Sequence, residues 1–150
     1  YAVSSVTSAA EDYSTFTFNV PTGNTITGIA VKLKASASDG NGRSINVALS
    51  GNGGGQVTAT KNTGTLTASD AIYTLGGDGD LWGGTFSADS FSNGNFRLRM
   101  LADPGTEGSV KIDAIQVKVY SVAGGGGEGG GVEVIRYPLP AVKRLFGYLT

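Results

Sequence analysis

The stretch Ser109-Val-Lys-Ile-Asp-Ala-Ile-Gln-Val-Lys-Val-Tyr120 decides the fold. Val110 and Ile112 occupy one phase of a two-residue repeat, and Ile115, Val117 and Val119 occupy the other. Alternation with polar residues (Lys111, Gln116, Lys118) is the pattern of a half-buried strand. A phase slip in mid-strand needs an extra residue, so a bulge is expected near Asp113-Ala114. The stretch Thr25–Ser36 repeats the pattern, with Ile29, Val31, Leu33 and Ala35 facing in and Lys32 and Lys34 facing out. Ile26 is out of phase with Ile29 across Gly28, which predicts a second bulge.

Working outward, Tyr13–Val20 places Phe16, Phe18 and Val20 on one face, and Pro21-Thr-Gly-Asn24 reads as a turn. Asp39-Gly-Asn-Gly42 is a turn before the inward face of Ile45, Val47 and Leu49. Gly51-Asn-Gly-Gly-Gly55 reads as a flexible hairpin tip. Gln56–Thr60, Ala71–Leu75 and Phe96–Met100 are further strands, and Ser87–Phe91 carries a helical turn. Short strands with turn signals at regular spacing and polar outer faces predict an all-β fold. An antiparallel, jelly-roll-like β-sandwich is expected rather than a parallel α/β sheet.

Composition narrows the chemistry. The chain of 150 residues has no cysteine and no histidine. This excludes disulfides, thiolate and histidine metal ligands and a histidine general base. Net charge is −1 and no segment is basic enough to suit nucleic acid. No apolar run reaches the length of a membrane span, and the N-terminus lacks the pattern of a signal peptide. Asp89, Asp103 and Asp113 read as turn or bulge residues rather than as paired catalytic acids, and no serine sits in a nucleophile elbow. No enzyme activity is expected. Arg97, Arg99, Lys32 and Lys34 read as a solvated sheet face with edge protection.

The chain divides into a sandwich domain at 1–123, a glycine-rich hinge at 124–131 and a C-terminal assembly arm at 132–150. The hinge, Gly124-Gly-Gly-Gly-Glu-Gly-Gly-Gly131, has almost nothing to bury and the highest backbone entropy. Its residues span about 15 Å on average and about 27 Å when stretched. The arm is apolar: Val132, Val134, Ile135 and Tyr137 have strand propensity, and Pro138 and Pro140, flanking Leu139, stop a ladder. Val142, Leu145, Phe146 and Leu149 form the stripe of a short helix. Burying those four side chains is worth about 6–10 kcal/mol before ordering costs. The arm is therefore expected to dock on another molecule, with donation of Val132–Tyr137 as a strand to an edge of the next copy as its sharpest form.

Two further candidates lie in Gly76-Gly-Asp-Gly-Asp-Leu-Trp82. Asp78 and Asp80, two apart in a loop, are possible calcium ligands, but they offer too few oxygens and a structural turn is the preferred reading. Trp82, the single tryptophan, is either a sugar-stacking face or a core plug.

Several segments together resemble a β-sandwich module common in tailed-phage virion proteins and some bacterial surface proteins. They are Val20-Pro-Thr-Gly-Asn-Thr-Ile-Thr-Gly-Ile-Ala-Val-Lys-Leu33, Ala71–Phe91 with its Gly-Gly-Asp-Gly-Asp-Leu-Trp-Gly core, Asn95-Phe-Arg-Leu-Arg-Met100, and Val110–Tyr120. The resemblance runs from about Ala2 to Tyr120 and omits the hinge and arm. It implies a structural role: a virion component (capsid decoration, neck or tail) on the virion surface or extracellular, with copies of itself or other virion proteins as partners. The alternative it leaves is a carbohydrate-binding or adhesin module with a glycan partner.

Overall fold

The computed structural model describes residues 10–38, 42–103, 108–124 and 130–146. Eight strands follow in chain order: β1 (Glu11–Tyr13), β2 (Thr25–Ala37), β3 (Ser44–Ser50), β4 (Lys61–Asn62), β5 (Ala71–Gly77), β6 (Arg97–Asp103), β7 (Ser109–Val122) and β8 (Gly130–Phe146). They form two four-stranded antiparallel sheets, ordered β1-β6-β3-β4 and β5-β2-β7-β8. Only β3–β4 and β7–β8 are joined to sequence neighbours in the same sheet. The other connections cross between sheets, as in a jelly roll.

The core lies between the two inner faces. Ile29, Val31, Leu33 and Ala35 of β2 and Ile115, Val117 and Val119 of β7 meet Ile45, Val47 and Leu49 of β3 and Leu98 and Met100 of β6, all buried. Both expected bulges are present. The β2–β7 register slips between Ile26 and Gly28, and again between Lys34 and Ala35 opposite Ala114 and Ile112. The extra residues are Thr27 and Asp113, and each slip keeps the apolar residues on both its sides facing inward. One end is closed by an aromatic cluster. Phe96 meets Phe16 edge-on at 5.4 Å and Phe18 at 4.9 Å, and stacks on Phe91 at 5.5 Å.

Some expectations need correction. Tyr13–Val20 is not one strand: β1 ends at Tyr13 and Thr15 takes φ 64°, although Phe16 is buried and Phe18 packs on the core as the alternation implies. Gln56–Thr60 has no ladder; only Lys61–Asn62 pairs with β3, while Thr58 N–H donates to the Leu49 carbonyl at 2.8 Å. The helical turn is a single 3-10 turn at Ala88–Phe91. The expected flexible tip at Gly51–Gly55 is tied down. Ser50 Oγ accepts from Gly54 N at 3.0 Å, Asn52 Oδ1 accepts from Gln56 N at 2.9 Å, and Gly53 N donates to the Asn95 carbonyl at 2.7 Å.

The largest correction concerns the C-terminal segment. It was expected to hold a strand and then a helix; instead Gly130–Phe146 is one strand, paired with β7 of its own chain. Two causes account for this. Without β8, β7 would present a long unpaired edge, and a nearby segment rich in Val, Ile and Tyr satisfies it. A ladder also offers Val142–Phe146 backbone partners, whereas a helix that short is marginal. The prolines interrupt the ladder without ending it: Ala114 is in register with Pro138 and Ile112 with Lys143, so positions 139–142 have no partner on β7. Val132, Val134, Ile135, Tyr137, Leu139, Val142, Leu145 and Phe146 thus belong to β8, and Leu149 lies outside the described residues. Most of the hinge, residues 125–129, also lies outside them.

Candidate functional site

Trp82 is 1% exposed, so no face of it is available for stacking on a sugar. It has φ 57°, and its indole N–H donates to the Ile29 carbonyl at 2.8 Å. Gly76 makes room for it: a Cβ there would lie 2.3 Å from the Ile29 oxygen and 2.5 Å from Trp82 Nε1. Asp80 holds the turn, with Oδ1 accepting from Trp82 N at 2.8 Å and Oδ2 paired with Lys61 at 2.8 Å. Lys61 also lies 5.3 Å from the indole centroid. These contacts make Trp82 the core plug.

The bond to Lys61, followed by the bond from Trp82 N, holds the Asp80 carboxyl below its ordinary pKa. Asp78 instead accepts from Thr27 Oγ1 at 3.4 Å. Among the described residues no group of three or more acids, histidines or cysteines gathers as metal ligands. Asp80 thus holds the turn, and among the described residues no third carboxylate joins it and Asp78.

Sequence reading missed a dense charge cluster because its members come from two strands and a loop. Asp70 Oδ1 accepts from Ser36 Oγ at 2.7 Å, and Lys111 Nζ reaches both Asp70 oxygens at 3.2 Å. Asp113, the bulge residue, pairs with Lys111 at 3.0 Å and Lys34 at 3.3 Å. The Ser36 bond first, then those involving Asp113 and Lys111, hold the Asp70 carboxyl far below its ordinary pKa. Asp113 first, then Asp70, raises that of Lys111. Both shifts favour the charged forms, the opposite of what a carboxyl acid or amine nucleophile needs near neutrality. The cluster cross-links β2, β7 and the loop before β5.

The expected solvated charges are partly committed too. Arg99 holds Asp12 in a two-point pair at 2.6 and 2.7 Å, and Arg97 donates to the Phe96 carbonyl at 2.7 Å. Lys32 remains exposed. Asp89 lies in the 3-10 turn and Asp103 ends β6 in register with Ser44, so neither joins Asp113.

Two open surfaces stand out among the described residues. One is a groove of about 590 Å³ between the Gly51–Gly55 loop and the segment after Trp82, with Asn52, Gln56, Val57, Thr85, Phe86 and Ser90 among its lining. Its lining carries no charge, and Val57 is 42% exposed. Gly84 shapes one wall, where a Cβ would come within 2.9 Å of Thr58 Cγ2. The second surface is the pair of edges of the β8-containing sheet, at β5 and β8. No helix among the described residues is long and apolar enough to cross a membrane. A scan against protein-family models finds no match to the chain, and a search of curated proteins finds none.

Proposed function

We propose that the protein is a non-enzymatic structural module that builds a larger particle through its sheet edges, with a phage virion as the setting that the resemblance from about Ala2 to Tyr120 points to. One observation carries this reading. A strand of 17 residues joins the sandwich beyond a glycine run, and among the described residues no strand pairs with its outer edge. Pairing of β8 with its own β7 removes the need for another molecule to shelter the apolar segment. What supports assembly now is that edge, which no described strand covers, since unpaired backbone groups on an edge strand are a template for another chain.

The test is the mass of the full chain by light scattering, with micrographs of the same samples. Growth with concentration into rings, filaments or coated particles is expected, and single copies at every concentration would contradict the reading.

A second reading rests on the uncharged groove. Amides and hydroxyls beside an aromatic ring suit a neutral glycan better than any ionic ligand. It transfers the carbohydrate alternative from Trp82 to Asn52, Gln56 and Phe86. Binding on a glycan array that is lost in Gln56→Ala is its expected result, and a silent array removes it.

A further inference from the structure

The four outer strands are not equally protected. β1 has three residues and carries Glu11 and Asp12; β4 has two. β8 has Pro138 and Pro140 and, near its end, Lys143 and Arg144. Short length, charge and proline are the devices that keep edges from pairing. β5, Ala71-Ile-Tyr-Thr-Leu-Gly-Gly77, has none of them. Its Ile72 is 70% exposed. Apart from its ladder with β2, no backbone–backbone hydrogen bond involves Ala71–Gly76 among the described residues.

We infer that β5 is the receiving edge for the β8 strand of a second copy, so that the two sheets run on as one. The inference rests on the assembly reading above and names the surface that completes it. Direction fits: β5 is antiparallel to β2, β2 to β7 and β7 to β8, so β5 and β8 run in opposite senses. Copies set side by side in one orientation therefore bring β5 against the neighbour's β8 as an antiparallel pair. Length also fits. The prolines leave Gly130–Tyr137 as the uninterrupted stretch of β8, eight residues against the seven of β5.

The competing contact, β5 against β5 about a twofold axis, would set the Lys32 and Lys34 rows of both copies beside one junction. Unlike that contact, the β5–β8 contact is heterologous, so it propagates into a ring or a filament.

A chain without cysteine allows a direct test. Full-length Thr74→Cys is mixed at high concentration with full-length Val132→Cys, Val134→Cys or Arg136→Cys, the β8 positions in register with Tyr120, Lys118 and Gln116, and oxidised. A disulfide needs Cα atoms about 4.4–6.8 Å apart, so one mixed pair is expected to link about tenfold more than the others or than either chain alone. Thermal melts of the reduced variants that match the parent show that the fold is kept. Linkage of Thr74→Cys chiefly to itself overturns the inference in favour of the twofold contact. Absence of linkage in material that light scattering shows to be assembled overturns it while leaving the assembly reading standing. Absence of both linkage and assembly removes the two together.

Discussion

At the scale of the residue, Gly76 and three paired aspartates contribute to the stability of this sandwich in ways that substitution and pH can read. Gly76 has φ +73° and lies against the Ile29 carbonyl and the Trp82 indole. Gly76→Ala adds left-handed strain to a steric clash, and a loss of about 2–4 kcal/mol is expected in urea unfolding. The carboxyls of Asp12, Asp70 and Asp80 all have lowered pKa values. Bonds to Arg99, to Ser36 with Asp113 and Lys111, and to Lys61 with Trp82 N are the respective causes.

A folded-state pKa below the unfolded value, about 3.9, means stability that is present above that pH and lost as pH falls toward the folded value. The melting temperature should therefore be flat from neutral pH to about pH 5 and fall below about pH 4. Asp70→Asn should make that fall shallower, and melts across the acid range check it. These are largely exposed pairs, so added salt should also reduce the effect.

At the scale of the element, the sequence was most readable where a strand is long and half-buried. The phase slips from Ile26 to Ile29 and from Ile112 to Ile115 gave both bulges of the β2–β7 pair. It was least readable where pairing depends on a distant neighbour. Phe16, Phe18 and Val20 alternate as a strand would, yet Thr15 turns the chain and no ladder forms beyond Tyr13. Trp82 offered two meanings because burial cannot be read from one residue between glycines. Asp70 gave no signal, since its partners Ser36, Lys111 and Asp113 lie far away along the chain.

The apolar C-terminal segment announced that it needs a cover, but its sequence does not choose between its own β7 and another copy's edge. The structure decides what truncation should do. In a chain ending at Ala123, β7 keeps β2 but loses its partner on the other side over most of its length. A drop in melting temperature of about 10 °C or more is expected, together with aggregation at the bared edge. An unchanged melt would show that β8 contributes little to the fold.

At the scale of the whole molecule, a closed core is joined to an open sheet. The core is completed by its own bulges, aromatic end and Trp82 plug. The sheet ends in β5 on one side and β8 on the other, and the proposal is that particle assembly uses these two edges. Hydrogen exchange of the full chain, at high dilution and again when concentrated, tests this most directly. At dilution, alternate amides of Gly130–Tyr137 should be protected by β7 while the rest, with the outward amides of Ala71–Leu75, exchange quickly. On concentration those outward amides should become protected as well. Rapid exchange throughout Gly130–Tyr137 at dilution, or no added protection in concentrated samples, would contradict the account.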